Sequence, residues 1–163
     1  MSRVVVNEIE AKVGNDITFN DTVKIDTAQI DTVRGKTTAG SITVQGEGTN
    51  TTNLQQGLSK HWVNINGTGT IATRDSFNLS SVVDNGTANY TFNLTNAHNN
   101  INYTLTCSGG EPGSNKPHVA IPFIVSDTDY PPTTSAYRIG MLEPGTAWAD
   151  AKYVIGVTHG DLA

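Results

Sequence analysis

Four histidines and a single cysteine are the side chains of this sequence best suited to metal binding or nucleophilic catalysis. His61, His98, His118 and His159 lie far apart, and neither an HxxxH pair nor a Cys–His spacing typical of metal ligands is present. The sequence also lacks a nucleophile elbow, a phosphate-binding loop and a dinucleotide-binding fingerprint. We therefore interpret the histidines as surface or turn residues, and we predict a protein that is not an enzyme and needs no cofactor.

Two aspartates in a predicted loop form the sharpest candidate for a metal site. Asp127 and Asp129 are one residue apart, so their carboxylates could place oxygen atoms on a hard cation such as Ca²⁺. No further acid follows at the spacing of an EF-hand loop, and such loops usually serve as simple turns. We predict no metal, and the two aspartates stay as candidates only.

Aromatic side chains near predicted loops form a second candidate surface. Tyr130 precedes Pro131 and Pro132, Tyr137 begins a nearby strand, and Trp148 is surrounded by small residues. Exposed rings of this kind stack on sugar rings or pack against an apolar patch of a partner. The alternative is that they cap the ends of a thin core. Tyr130, Tyr137 and Trp148 are therefore candidate receptor-binding residues.

The single cysteine, Cys107, excludes an intrachain disulfide. It continues an alternation of apolar side chains through Ile101, Tyr103 and Leu105, which is typical of one buried face of a strand. Free cysteine is often buried and behaves as a small hydrophobe, so we predict a core position for Cys107.

The elements that must position these side chains divide near residue 60. Phe19 is the only aromatic residue among residues 1–60, and every tryptophan, tyrosine, histidine and proline lies after residue 60. A first third without large rings can bury little area against itself, so we predict that it finds its core in copies of the same chain. Residues 1–50 are therefore interpreted as a short N-terminal β stem or arm. Its candidate oligomerisation residues are Val4, Val6, Ile9, Ile17, Phe19, Val23, Ile25, Ile30 and Val33.

Composition and charge restrict the fold class and the partners. Threonine (23 residues) and asparagine (16) are over-used, and branched side chains favour strands, so the sequence predicts an all-β protein. The net charge is −5 and the basic residues are dispersed, which argues against nucleic-acid binding. No apolar run approaches the roughly 20 residues that cross a bilayer, so we predict no membrane insertion. The short apolar N-terminus does not resemble a secretory signal, so we expect synthesis and assembly in a cytoplasm.

The remaining residues predict a linker and a head domain. Small polar residues at 46–53 indicate a linker, placed at 51–56, and residues 57–163 contain short alternating strands separated by turn signals. Asn85-Gly86 predicts a type I′ hairpin, and the strands at 90–94 and 101–107 predict an antiparallel meander. Seven or eight such strands favour a small antiparallel β-sandwich or jelly-roll-like domain.

One segment of the head carries a family resemblance. Residues 57–78 read GLSKHWVNINGTGTIATRDSFN, and SSVVDNG follows at 80–86. This segment resembles one that recurs in tail-fibre-like virion proteins of bacteriophages that infect marine and freshwater cyanobacteria and related hosts. The resemblance extends over residues 57–105, more loosely over 1–50, and not over 110–150. It implies a homotrimeric virion appendage whose N-terminal part joins the particle and whose C-terminal module faces outward.

Three functional hypotheses follow. The leading one is a short trimeric tail fibre in the virion, whose partners are itself, other tail or capsid proteins, and a host-cell surface glycan or protein. A capsid decoration, cement or head-fibre protein is the alternative, since both roles need an edge that docks on a neighbouring chain. A free carbohydrate-binding module is the third hypothesis, and it predicts a monomer.

Overall fold

A computed structural model of the chain describes residues 26–35, 42–45, 48–110, 119–122, 130–143, 145 and 147–161. The chain divides into two compact units, Met1–Arg34 and Gly35–Ala163. Several predicted positions lie outside the described residues: Val4, Val6, Ile9, Ile17, Phe19, Val23, Ile25, His118, Asp127 and Asp129.

Residues 26–34 are the described part of the first unit. None of them lies in a strand, and all of them are exposed. The β stem predicted over residues 1–50 is therefore not shown in residues 26–34 of the single chain. A strand needs a neighbour for its backbone groups, and the described residues of this unit provide none. Ile30 and Val33, both predicted oligomerisation residues, are 62% and 59% exposed in the single chain.

The described part of the second unit is built from antiparallel strands and one helical turn, which confirms the predicted all-β class. The elements follow the chain as β1 (Thr43–Gln45), β2 (Thr51–Asn53), α1 (Leu54–Gly57), β3 (Ser59–Asn66), β4 (Ala72–Phe77), β5 (Leu79–Asp84), β6 (Asn89–Leu94), β7 (Thr104–Gly110), β8 (Val119–Pro122), β9 (Ala136–Glu143), β10 (Ala147–Trp148) and β11 (Tyr153–His159).

Two larger sheets and one small hairpin organise these strands. The first sheet has the order β4-β3-β11-β7, and β5, β6 and β9 form the second, in which β8 and β10 also pair with β9. Apolar side chains from both sheets form one buried cluster, so the two sheets pack as the layers of a sandwich. The fully buried members of this cluster include Val63, Ile65, Tyr90, Phe92, Ile139, Met141 and Val154.

The predicted linker at 51–56 differs from what the structure contains. Thr51 to Asn53 form β2, which pairs with β1, and the Asn53 side chain accepts a hydrogen bond from the Gln56 backbone N–H at 3.1 Å to cap α1. Threonine favours a strand even where no core covers it. The polar composition of this segment therefore reflects an exposed ribbon.

The predicted hairpin at Asn85-Gly86 forms between β5 and β6, but its turn is not type I′. Gly86 and Ala88 have positive φ angles (111° and 62°), and Asn85 does not. The Asn85 backbone N–H donates to the Asn89 carbonyl at 2.9 Å, so three residues separate the closing pair. The loop therefore has three residues, one more than the two-residue loop of a type I′ Asn-Gly hairpin.

The predicted meander between the strands at 90–94 and 101–107 is wrong. β6 pairs with β5 and β9, whereas β7 pairs with β11 in the other sheet. The chain between them crosses from one layer of the sandwich to the other. The proline-containing strand β8 pairs with β9 alone among the described strands, as expected for an edge position.

Candidate functional site

A polar cleft of about 370 Å³ opens at one end of the sandwich. It lies where the start of β7, the end of β11 and the helical turn α1 meet. Tyr103 and Gly160 form part of its lining, and the other lining side chains carry amide, hydroxyl, imidazole or carboxylate groups: Gln56, Asn100, Asn102, Thr104, His159 and Asp161.

Two hydrogen bonds from backbone N–H groups order the loops of the cleft. The Asn99 N–H donates to the Asp161 carbonyl and joins the two loops, and the Asn102 N–H donates to the side-chain oxygen of Asn100 within one loop, both at 2.8 Å. A Cβ on Gly160 would lie 2.9 Å from Cβ of Tyr103, which is closer than real contacts of this kind. Glycine therefore permits the close approach of the segment at 160–161 to the loop before β7.

Tyr103 is a fixed aromatic wall of this cleft. Its ring stacks on the buried His98 ring with centroids 4.1 Å apart. Its hydroxyl donates to the Thr133 carbonyl at 3.1 Å, and burial raises the pKa of Tyr103 to about 12. His98 is held in turn by a 3.0 Å hydrogen bond between its Nε2 and the Thr158 hydroxyl.

The lining groups are suited to hydrogen bonding. Among the described lining residues Asp161 supplies the one carboxyl group, and lysine and arginine are absent from this lining. The Gln56 side-chain amide donates to the Asp161 carboxylate at 3.4 Å, which is a weak contact. In the described structure the Asn102 side-chain amide makes no hydrogen bond to the protein, so it is available to a ligand.

Two histidines lie in the interior, so the prediction that they are surface or turn residues is wrong for His61 and His98. His61 is fully buried and its Nδ1 lies 3.1 Å from the Tyr137 hydroxyl. Burial, with a smaller contribution from the charge of His98, lowers the pKa of His61 to about 4. Burial also lowers the pKa of His98. Both rings are therefore neutral core side chains held by hydroxyl groups.

Tyr137 is buried in β9, so its predicted role on a receptor-binding surface is wrong. It is 2% exposed, and its ring stacks on Phe92 with centroids 5.2 Å apart. The sequence places Tyr137 at a strand start next to a loop, where a ring can face either way. In the structure it alternates inward with Ile139 and Met141.

Tyr130 and Trp148, the other two candidate receptor-binding residues, are 46% and 44% exposed. The guanidinium carbon of Arg138 lies 3.4 Å from the centre of the Tyr130 ring. Trp148 pairs across the sheet with Leu142. Arg138 and Leu142 alternate with the inward residues of β9, so both aromatic residues lie along the outer face of the same sheet.

Other predicted features can be placed on the fold. Cys107 is a free thiol that packs partly buried against the core, as predicted, and burial raises its pKa.

No cluster of three histidine, cysteine, aspartate or glutamate side chains able to hold a metal ion occurs among the residues that the structure describes. Within the same residues, no helix has the length and apolarity to cross a membrane.

Sequence reasoning did not find the cleft. Its residues come from three separate segments, near positions 56, 100–104 and 159–161. No spacing rule joins them, because β11 brings the third segment next to β7 only through sheet pairing. The asparagines at 99, 100 and 102 are the one signal in the sequence, because neighbouring asparagine side chains supply several amide groups for hydrogen bonding.

Comparisons with protein-family models, with curated proteins and with solved structures found no match to this chain.

Proposed function

We propose that this chain is a non-enzymatic structural protein of a bacteriophage virion, a short trimeric tail fibre. In this proposal residues of the first unit attach to the particle and associate with their copies, and the β-sandwich of the second unit is displayed. The resemblance of residues 57–105 to tail-fibre-like proteins supports the virion assignment. The exposed apolar side chains of the first unit support self-association.

The exposure of Ile30 and Val33 is the observation that carries the proposal. Each is more than half exposed, in a stretch whose other described residues are polar, small or charged. Full burial of one such side chain stabilises a structure by about 1.5–3 kcal/mol. In a trimer with threefold symmetry, Ile30 and Val33 of all three chains would be buried near the common axis. In the single chain both side chains stay exposed, so neither contributes this stabilisation.

The mass of the full-length chain in solution tests the proposal. We expect light scattering to give the mass of three protomers at micromolar concentration. Ile30→Asp and Val33→Asp should lower this mass, because each would bury a carboxylate in the interface. Gln29→Asp is the matched control, since it adds the same charge at an exposed polar position. A monomeric full-length chain, or a trimer that both substitutions leave unchanged, would contradict the proposal.

Cryo-electron microscopy of the intact particle tests the location. Density for the β-sandwich at the tail supports a tail fibre, whereas density on the capsid shell supports a decoration or head-fibre protein. The polar cleft favours one further candidate, a carbohydrate-binding module. That role predicts a monomer, so the mass measurement separates it from the leading proposal.

A further inference from the structure

We propose that the polar cleft at the end of the sandwich binds an uncharged saccharide. This inference gives the displayed β-sandwich a ligand class, and it rests on the proposed function for the biological source of that ligand. The binding chemistry itself follows from the size, charge and hydrogen-bonding groups of the cleft.

The size of the cleft suits one or two sugar rings. Its volume of about 370 Å³ falls within the range of roughly 300–1,000 Å³ that is typical of small-molecule sites. It is formed entirely by residues of the second unit, from Gln56 to Asp161, so a single chain supplies every described wall.

The charge of the cleft argues for a neutral ligand. Anionic ligands such as phosphate are recognised by arginine, lysine or clustered backbone N–H groups. The described lining contains neither lysine nor arginine, and the Asp161 carboxylate would repel an anion. A hard cation is also poorly served, because Ca²⁺ takes 6–8 oxygen ligands and favours several carboxylates, whereas the lining supplies one.

The hydrogen-bonding groups match a polyhydroxylated ligand. A sugar hydroxyl donates one hydrogen bond and accepts others, and the amides of Gln56 and Asn102 can do both. The Asp161 carboxylate accepts, and the Thr104 hydroxyl makes only a 3.4 Å contact to the His159 carbonyl. Each of these groups can therefore exchange water for a sugar hydroxyl without breaking a strong internal hydrogen bond.

The cleft is organised before a ligand arrives. The two 2.8 Å bonds made by the Asn99 and Asn102 backbone groups fix the loop, and the hydroxyl of Tyr103 anchors its ring. Binding then costs little ordering of the protein. A weak but specific interaction with a neutral sugar is the expected outcome.

Saturation-transfer NMR on the full-length chain tests the inference. The probes are glucose, galactose, mannose, N-acetylglucosamine and their β-linked disaccharides, at about 10 mM, where a site with a Kd of about 1 mM is nearly filled. Glucuronate forms a further arm of the same experiment, and CaCl₂ is titrated separately by isothermal calorimetry, because Ca²⁺ has no protons that could report saturation transfer. We expect transfer to at least one neutral sugar and none to glucuronate.

Substitutions in the cleft locate the binding. Asn102→Ala and Thr104→Val should each weaken binding of the neutral sugar about tenfold, through loss of a hydrogen bond. Thr106→Val is the matched control, because Thr106 follows Thr104 on the same exposed face of β7 and does not line the cleft. Far-UV circular dichroism confirms that each variant is folded.

Three results would overturn the inference: no transfer to any neutral sugar, Asn102→Ala and Thr104→Val variants that bind as the unchanged chain does, or a site that responds only to glucuronate or Ca²⁺. Light scattering on the same samples separates this inference from the proposed function. A trimer that binds no sugar refutes the saccharide site alone. A monomer that binds sugar through Asn102 refutes the fibre and leaves the site intact.

Discussion

The hydroxyl oxygen of Tyr137 lies 3.1 Å from Nδ1 of His61, and this contact joins the two layers of the sandwich. Tyr137 belongs to β9 of one sheet and His61 to β3 of the other. The two rings meet edge to face with centroids 5.4 Å apart. Nε2 of His61 is buried and has no hydrogen-bond partner among the described residues. A second proton, which makes the imidazole cationic, would therefore leave a buried N–H at Nε2 without a hydrogen-bond acceptor among the described residues.

Acid should destabilise the protein through His61. Its pKa falls from 6.5 to about 4 on folding, so the unfolded chain binds a proton in this interval and the folded chain does not. The stabilising contribution is complete above pH 6.5, is lost progressively as the pH falls towards about 4, and amounts to at most about 3 kcal/mol. His98 acts in the same direction. Urea unfolding across this range measures the effect.

The control for this prediction removes the titrating imidazole together with its hydroxyl partner. His61→Leu combined with Tyr137→Phe leaves neither a buried imidazole nor an unpaired hydroxyl. Between pH 6.5 and 4, the free energy of unfolding of this double variant should depend less steeply on pH than that of the unchanged chain. The dependence that remains is the contribution of His98. Equal slopes would show that His61 does not carry the effect.

Both residues of this contact had a signal in the sequence. His61 alternates with Val63 and Ile65, and Tyr137 alternates with Ile139, so period-two reasoning places both on buried faces. The prediction that the histidines are surface or turn residues left His61 off the buried face of its strand. Tyr137 was placed at the start of a strand beside a loop, where its ring was expected to be exposed. Strand ends are the positions where such reasoning errs, because one residue of extension changes which side chains belong to the face.

Strand partners could not be predicted in the same way. Alternation in β6 and β7 correctly indicates that each has a buried face, but it holds no information on which strand lies beside it. The structure inserts β11, from the end of the chain, between β3 and β7. The polar cleft depends on that pairing. It therefore could not be assembled from local sequence patterns.

Gly156 should not tolerate a side chain. A Cβ at this position in β11 would lie 2.5 Å from the Tyr137 hydroxyl and 3.0 Å from Cδ1 of Ile139. Gly156→Ala is therefore expected to lower the free energy of unfolding by about 1–3 kcal/mol, measured by urea denaturation. Gly110→Ala, in the neighbouring strand, is the control, because nothing lies within 4 Å of its Cβ position.

A second substitution identifies the cause of the Gly156 effect. Tyr137→Phe removes the oxygen that the new Cβ would meet first. The double variant should therefore lose less stability than the sum of the two single variants. Strict additivity would show that the Tyr137 hydroxyl is not the atom that Gly156 accommodates.

Asn78 should be needed both for its backbone angle and for its amide. It has a φ of 59°, its Oδ1 accepts from the Asn96 N–H at 2.7 Å, and its Nδ2 donates to the Lys60 and Asn96 carbonyls at 2.9 Å. Asn78→Gly keeps the positive φ angle but loses the three side-chain hydrogen bonds, and it should lower the free energy of unfolding by about 1–3 kcal/mol. Asn78→Ala adds backbone strain of about 1 kcal/mol. Denaturation midpoints of equal value for the two variants would exclude the strain.

Asp150 should anchor the hairpin loop between β5 and β6. Its Oδ1 accepts from the Ala88 N–H at 2.6 Å and lies 2.9 Å from the Tyr90 hydroxyl, which can also donate to the Gly67 carbonyl. Burial and then the hydrogen bond to Asp150 raise the pKa of Tyr90, as expected if the phenol stays protonated as a donor. Tyr90 thus keeps one acceptor when Asp150 is removed, and Ala88 does not.

Asp150→Ala is therefore expected to cost about 1–3 kcal/mol in the free energy of unfolding, mainly through the unpaired Ala88 N–H. Asp150→Asn retains a side-chain oxygen in the same place and should cost less. Hydrogen exchange at the Ala88 amide gives a local measure, since exchange should be faster in the alanine variant than in the asparagine variant. If both variants exchange at the rate of the unchanged chain, the loop is held by its own turn bonds and the carboxylate contributes nothing to it.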